Sequence, residues 1–521
     1  MSNINTNNGA ITTLYHLAKN TVGMDKAMER IASGVRINNA GDDAAGASIV
    51  NRMTSQIRGL EHAMRNASDA ISLAQTAEGA LNEVTAVLQR IRELAVQSAN
   101  GVYNGADRQN LNAEVVQLQN ELQRIAETTY FNNTKLLNGS FQDTNFQIGY
   151  QDEHKHAITI EDVRPSALGE YTLGTTQGNA TDATTPVTGA AGSLPTSRVT
   201  AAEDLTVYGH VGTHVFDITA GQSAKEISDF VTQNETNTGV RASARTAAKL
   251  SFVAFSGGLT DAVSFKLYGM NTETAADITA TITIADSAVA GSVNDLTNLR
   301  NSINARSGET GITATISDDK SNIFLLSDDG YDIGIQDLDY ATVIVGGTSP
   351  NMSLQAVDEE NADIAGTSVT INDKVITGDS SARITGQVKF HSSEIFSVHT
   401  GSAGAGLFAA APGAAELQSI GTMDVLTVAR ASKMLGIVDG ALARIDAERG
   451  DLGATMNRMQ YTINNLSNIV TNTHASRARI QDSDIASETA NLTKSQVLQQ
   501  AAQAMLAQAN QSAQSVLSLL K

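Results

Sequence analysis

Histidine pairs are the first residues of this 521-residue chain whose chemistry stands out. His154 and His156 form HKH, and His210 and His214 form HVGTH. On a strand, His154 and His156 share a face where two imidazoles can bind a metal ion. However, the chain has no HExxH motif, and isolated pairs are more typical of solvated histidines. We therefore predict no metal site and no cofactor.

The acidic segment DDGYDIGIQDLDY, residues 328–340, suggests calcium at first sight. It lacks the EF-hand order of ligands and the closing glutamate, which favours a solvated acidic loop and strand. The chain contains no cysteine, so a disulfide framework and thiolate chemistry are excluded. No GxSxG, Walker A or GxGxxG motif stands between a strand and a helix. We expect no enzymatic activity.

Charge and hydropathy exclude further classes. The net charge of −20 argues against nucleic acid and against anionic membranes as partners. No run of about 18 apolar residues predicts a transmembrane helix. The start, MSNINTNNGAITTLY, lacks the basic and apolar regions of a cleaved secretory signal. Export would therefore need a different route.

Apolar residues at heptad spacing predict helices that position the first part of the chain. One seam covers residues 10–31 and ends before Gly34, a plausible C-cap. A second runs through residues 53–95, where Asp42 and Asp43 stand in front as expected caps. A third follows over residues 111–125.

The other end of the chain repeats this pattern, over residues 435–470 and again from Leu498 onward. These terminal seams contain much Ala and Met, and burying an Ala contributes much less than the roughly 1.5–3 kcal/mol of a Leu. The outermost helices are therefore marginal alone. Other copies of the same chain are the simplest partners for them.

The middle, residues 171–400, is rich in Thr, Gly, Ala, Asp and Val in alternating runs that predict antiparallel strands. It holds 27 acidic and 12 basic residues, so it carries −15 of the net charge. Residues 227–244 resemble residues 299–316, each with a short helix, a Thr-Gly turn and a strand. Two similar α+β modules are expected. Whether their Ser and Thr side chains carry glycans stays open.

Three separate segments resemble bacterial flagellin: SGVRINNAGDDAAGASIVNRM (33–53), LQRIRELAVQSANG (88–101) and the tail from Ala478 to Leu520. The resemblance implies a subunit whose two ends pair as a coiled coil in an inner tube. The next helices would then form an outer tube, and the middle would project outward. It also implies unfolded export by the flagellar type III apparatus, which accounts for the missing signal peptide.

The predicted fold class is a mainly α-helical coiled coil or bundle formed by paired N- and C-terminal segments, with a central α+β, β-rich insertion of two tandem repeat-like modules. The expected domains are an inner-tube domain of residues 1–43 and 478–521, an outer-tube core of 44–170 and 410–477, a first outer module of 171–260 and a second of 261–409.

Leu94 departs from simple amphipathicity, because it lies beside the Leu88/Ile91/Ala95 seam. At 100° per residue, a second stripe follows: Glu83, Val87, Arg90, Leu94 and Gln97. In a monomer, Leu94 would widen the core face while Arg90 lay at its rim. In an obligate polymer, we expect the stripe to be covered in the filament and exposed on loose subunits.

The flagellin resemblance gives this stripe a second role. Arg90, Leu94 and Glu114 correspond to the residues that make the principal receptor contacts in flagellins sensed by a vertebrate Toll-like receptor. Gln89, Gln97 and Arg458 would flank them. An arginine beside an apolar anchor is a common hot-spot composition. The resemblance thus implies receptor recognition of free monomer, which Arg90→Ala or Leu94→Ala should weaken.

These observations predict an extracellular filament subunit that polymerises with itself. The resemblance implies further partners, namely an export chaperone, the filament cap and hook-associated proteins. The alternative is a hook–filament junction protein with related ends, although the QANQ…VLSLL tail favours the filament subunit.

Overall fold

Helices occupy both ends of the chain in a computed structural model, which describes residues 6–174, 187–197, 199, 203–253, 258–272, 274–286, 289, 293–341, 351–374, 379–400 and 413–518. The helices are α1 (Asn8–Ser33), α2 (Ala44–Ala99), α3 (Gly105–Thr128), α4 (Ala224–Gln233), α5 (Glu235–Thr238), α6 (Thr297–Ala305), α7 (Ser307–Thr310), α8 (Val428–Gln481) and α9 (Ile485–Ser518). Within these described ranges, no helix is both long and apolar enough to cross a membrane.

Strands fill most of the middle. They are β1 (Tyr130–Phe131), β2 (Thr134–Lys135), β3 (Thr144–Gln147), β4 (Lys155–Ile158), β5 (Gly169–Gly174), β6 (Val187–Gly189), β7 (Glu203–Tyr208), β8 (Thr213–Ile218), β9 (Arg241–Phe252), β10 (Leu259–Tyr268), β11 (Ala276–Ile284), β12 (Thr313–Ile316), β13 (Asn322–Ser327), β14 (Ile333–Tyr340), β15 (Met352–Val357), β16 (Asp363–Ile371), β17 (Ser381–Ile384), β18 (Gln387–Ser392), β19 (Ser397–Thr400), β20 (Gly413–Ala414) and β21 (Glu416–Ser419). The paired terminal helices and the β-rich middle confirm the predicted fold class.

The chain divides into two compact units. The first comprises Met1–Thr76, Phe141–Thr159 and Asp451–Lys521, and the second comprises Ala77–Ser140 and Ile160–Gly450.

In the first unit, α1 and α9 pair antiparallel. The Asn7 amide donates to the Ala509 carbonyl at 3.1 Å, and Arg30 bonds Glu488 at 3.0 Å. Gly34 ends α1 in the left-handed conformation, at φ 72°, as the sequence predicted. A small core of Ile57, Leu60, Ala63, Leu466 and Val470 joins α2 to α8.

Asp42 and Asp43 make different hydrogen bonds at the N-terminus of α2. The Asp43 carboxylate accepts from the Gly46 N–H at 2.9 Å and caps the helix as predicted. Asp42 instead accepts from the N–H groups of Asn38 and Asn39. The prediction that Asp42 caps α2 is wrong, because the preceding turn offers its carboxylate nearer donors.

In the second unit, antiparallel sheets build two cores. The first sheet has the order β12-β13-β9-β18-β5-β21. In this sheet β15 also pairs with β9, and β16 pairs with β15. The second sheet has the order β11-β10-β14-β17-β6, and the third has the order β20-β19-β7-β8. One core joins apolar residues from 173–244 with residues from 388–415, and the other uses residues 248–384. The predicted boundaries at 170, 260 and 409 remain predictions, but these cores group the chain differently. Strand β9 contributes to both.

The internal repeat has the predicted form. In each copy a helix is followed by a one-turn helix, α4 by α5 and α6 by α7. Gly239 ends α5 and Gly311 ends α7, with φ of 73° and 69°. The buried Thr238 and Thr310 hydroxyls accept from the N–H groups of Val240 and Ile312, each at 3.2 Å. A strand follows in both copies, β9 in the first and β12 in the second.

Candidate interaction surface

The candidate surface lies where α2 meets α3 in the second unit. From Ala77 onward, α2 buries one continuous line of side chains: Ala77, Leu81, Val84, Leu88, Ile91 and Ala95. Helix α3 begins at a capping box, in which Asn104 accepts from the Asp107 N–H and Asp107 accepts from the Asn104 N–H. The predicted helices and their seams are confirmed here.

Leu94 belongs to the core. Its side chain is only 1% exposed, so the expectation that it is exposed on a loose subunit is wrong. The reason is that α2 has a neighbour on either side. Arg90 bonds Glu114 of α3, whereas Arg92 bonds Asp439 of α8. A helix enclosed in this way buries a face wider than a single heptad seam, and Leu94, one turn beyond Arg90, lies on the α3 side of that face.

Arg90 and Glu114 form the polar cover over this core. The Arg90 Nη2 lies 2.8 Å from Glu114 Oε1, and Nη1 lies 2.9 Å from Glu93 Oε2. Hydrogen bonding to Glu114, and then to Glu93, raises the pKa of Arg90 above its ordinary value. About half of each side chain of the Arg90–Glu114 pair faces solvent. The predicted Arg90 and Glu114 are therefore adjacent and accessible.

Gln89 and Gln97 are also exposed, on the same helix. The Gln97 amide donates to the Tyr103 hydroxyl at 3.1 Å, in the turn that leads to α3. Together with Arg90 and Glu114, these side chains give a charged and amide-bearing surface, which we call the Arg90 surface.

Arg458 belongs to the first unit. It lies on the exposed side of α8 and borders a cavity of about 410 Å³ with His156. Burial, and then the charge of Arg458, lowers the pKa of His156 below its ordinary value. The structure thus gives Arg458 a neighbour that the sequence did not suggest.

Two sets of polar contacts made by α3 were not predicted. The Arg108 guanidinium donates to the carbonyls of Ser98 and Asn100, which closes the C-terminal end of α2. The Gln119 amide donates to the carbonyls of Ile420 and Met423, at 2.6 and 3.0 Å. Each of these bonds joins residues from different elements, so heptad spacing carries no signal for them.

The histidine and acidic candidates lie elsewhere. No group of three His, Cys, Asp or Glu side chains suited to a metal ion occurs in the described part of the chain. Within 328–340, Asp332 is buried and bonds Arg383 at 2.8 Å, and Asp339 bonds Lys374 at 2.7 Å. This segment is thus a paired strand rather than a fully solvated one.

Comparison with known proteins gives two family matches. The bacterial flagellin N-terminal helical region matches residues 4–142, and the bacterial flagellin C-terminal helical region matches residues 435–520. B-type flagellin of Pseudomonas aeruginosa is 39% identical over 99% of both chains. Flagellin A of Vibrio cholerae is 33% identical, covering 100% of this chain and 99% of the relative. A flagellin of Salmonella muenchen is 33% identical over 99% of both chains.

Proposed function

Because this chain belongs to the bacterial flagellin family, whose members are the subunits of flagellar filaments, we propose that it is exported unfolded through the flagellar type III apparatus and polymerises outside the cell. We further propose that it meets an export chaperone, the filament cap and hook-associated proteins on the way. A chain without cysteine suits this route, since no disulfide can lock it before passage. Whole-length similarity to flagellins favours the filament subunit over the junction protein.

The observation that carries the polymerisation proposal is the apolar outer side of the α1–α9 pair. Leu14 is 50% exposed, Tyr15 67% and Met505 61%. Leu14 and Met28 belong to the predicted heptad seam, yet one partner helix leaves both exposed. Exposed apolar side chains at a regular spacing require further helices to cover them. Identical helices of neighbouring copies meet that requirement.

Leu14→Gln tests this proposal. The side chain is half exposed in the single chain, so we expect the helicity and melting temperature of the monomer to change little. Burying a Leu contributes roughly 1.5–3 kcal/mol, so the critical concentration for seeded polymerisation should rise about tenfold or more. Val293→Gln, at a valine of similar exposure in the middle of the chain, is the control. If Leu14→Gln polymerised like the control, the outer side of α1 would not be a contact.

We also propose that the flagellin-sensing Toll-like receptor recognises free monomer through the Arg90 surface. Support comes from the exposure of Gln89, Arg90, Gln97 and Glu114, and from the composition of the surface. Leu94 contributes from below, because it packs under the residues that would touch the receptor.

Arg90→Ala and Arg92→Ala form a matched pair for the receptor proposal. Each removes one half-exposed arginine of α2. Arg90→Ala breaks the ion pairs to Glu93 and Glu114, and Arg92→Ala breaks the ion pair to Asp439. Arg90→Ala should weaken receptor activation by monomer about tenfold or more, whereas Arg92→Ala should leave it near the wild-type level. Equal effects of the two substitutions in a receptor reporter assay would refute a specific role for the Arg90 surface.

A further inference from the structure

Three polar side chains cross the sheet of the second unit on a diagonal. Ser243 lies on β9, His391 on β18 and Glu170 on β5, and these strands are adjacent. The Ser243 Oγ is 2.7 Å from His391 Nε2, and His391 Nδ1 is 3.2 Å from Glu170 Oε2. The second contact has the distance of an ion pair, although the ring N–H is not aligned with the carboxylate oxygen.

Exposure rises along this diagonal in the order that a nucleophilic relay needs. The Glu170 side chain is 12% exposed and that of His391 is 20% exposed, whereas Ser243 is open to solvent. Helix α8 covers Glu170 at two glycines, where an added Cβ at Gly436 would lie 3.3 Å from Glu170 Oε2 and one at Gly440 would lie 3.0 Å from its Cβ. The acid is thus enclosed, and the hydroxyl is accessible to a substrate.

A cavity of about 260 Å³ lies above the same sheet face and includes Ser243 in its wall. Four basic side chains line it: Arg245, Lys389, Arg430 and Lys433. Lys389 is directly opposite Ser243 in the β9–β18 register. Acidic residues at the tip of the β15–β16 hairpin balance part of this charge, since Lys389 bonds Glu359 and Arg430 bonds Glu360.

We propose that Ser243, His391 and Glu170 form a nucleophilic site that hydrolyses small carboxylic esters with an anionic acyl group. This activity is separate from filament formation. A serine hydrogen-bonded to a histidine, with a carboxylate behind the ring, is the recurring arrangement of acyl-transfer sites on unrelated folds. Here the Ser243–His391 hydrogen bond carries the proposal, and Glu170 places negative charge beside His391 Nδ1. Four basic side chains against three carboxylates, Asp358, Glu359 and Glu360, leave the cavity wall with a positive excess that favours an anionic acyl group.

The chemistry balances within these residues and water. The Ser243 Oγ attacks the ester carbonyl carbon while its proton passes to His391 Nε2. The bond to the alkoxy group then breaks, and that proton goes to the leaving alcohol. A water molecule, deprotonated by His391, attacks the acyl-serine, releases the acid and leaves the proton to return to Oγ. Lys389 supplies positive charge near the carbonyl oxygen during both attacks.

Full-length monomer treated with a fluorophosphonate probe tests the nucleophile. Peptide mass spectrometry should find the label on Ser243, and Ser243→Ala should abolish it. Ser251→Ala is the matched control, because Ser251 lies on the same strand and faces Ser353 instead of a histidine. Since Ser243 is exposed, its substitution should leave the circular dichroism and melting temperature unchanged. Label elsewhere, or equal label in Ser243→Ala, would overturn the proposal.

Turnover is tested with two p-nitrophenyl esters, the anionic succinate and the neutral butyrate. After subtraction of the protein-free rate, which for the succinate includes attack by its own carboxylate, wild-type protein should hydrolyse the succinate faster than the butyrate. His391→Gln should slow this protein-dependent rate by about 10²–10⁴-fold. Glu170 is a positioning residue, so Glu170→Gln should lower kcat and leave KM for the succinate unchanged. Arg245→Gln should reduce the preference for the succinate, because it removes one of the four basic side chains of the wall. Equal hydrolysis by wild type and Ser243→Ala would contradict the proposal.

Discussion

Arg90 and Leu94 lie one helical turn apart on α2, but one side chain is exposed at the surface and the other stabilises the core. The Arg90 guanidinium is half exposed and bonds Glu93 and Glu114, whereas Leu94 is 1% exposed. Exposed ion pairs contribute little to folding, so Arg90 is free to serve recognition. A buried leucine supports the surface from below, and its substitution acts on folding before it acts on any partner.

Leu94→Ala should therefore destabilise the monomer by about 2–5 kcal/mol, the usual cost of truncating a core leucine. Val96→Ala, two residues along the same helix at a side chain that is 50% exposed, should change stability by about 0.5 kcal/mol or less. Chemical unfolding followed by circular dichroism measures both. If the two variants lost equal stability, the Leu94 side chain would not be part of the core.

His156 offers a prediction about charge. Because burial and the Arg458 guanidinium both lower its pKa, Arg458→Gln should raise that pKa toward the ordinary value of 6.5 without reaching it. The folded-state pKa of His156 lies below the unfolded value, so its contribution to stability falls as pH falls through the interval between them. Removing Arg458 should narrow that interval. An NMR titration of the His156 ring in the variant would contradict this account if the pKa stayed or fell.

At the scale of the elements, the two repeat copies share one chain path but differ in their neighbours. A Cβ added at Gly239 would lie 2.1 Å from the His210 ring, whereas one at Gly311 would lie 3.4 Å from Met270 Cβ. Both glycines have positive φ, so alanine strains the backbone equally at each.

We expect Gly311→Ala to cost about 1 kcal/mol and Gly239→Ala to cost more, because the His210 ring must also move. Thermal unfolding of the two variants measures the difference. A larger loss of stability for Gly311→Ala would contradict this expectation, because the His210 ring would then move away from the new Cβ at little cost.

Local patterns predicted the helices, the caps at Gly34 and Asp43, and the repeat, because heptad spacing and a Thr-Gly turn act within a few residues. Helix geometry allowed Leu94 either to widen the core face or to lie on an exposed stripe, and the structure confirms the first alternative. The pattern within α2 could not decide between them, since the outcome depends on α3 and α8 lying on opposite sides of α2. The same holds for β9, whose two ends join cores built from segments far apart in sequence. The contact between Ser243 and His391 also depends on register, because the two residues are 148 positions apart.

At the scale of the whole molecule, the middle and the ends of the chain differ in charge and in exposed apolar residues. The acidic middle carries −15 of the net charge of −20, which suits a surface that faces water. The ends are nearly neutral and leave apolar side chains exposed on α1 and α9. The middle of a single chain buries its own apolar core. The ends leave apolar side chains exposed, and other copies are required to cover them.

Seeded polymerisation of two deletion variants, examined by negative-stain electron microscopy, tests this division most directly. One variant lacks residues 485–521, and the other replaces residues 175–412 with a short Gly-Ser linker, which joins β5 to its partner β21 as a hairpin. The account predicts no filaments from the first and filaments of smaller diameter from the second. Normal filaments without α9, or none without the middle, would contradict it.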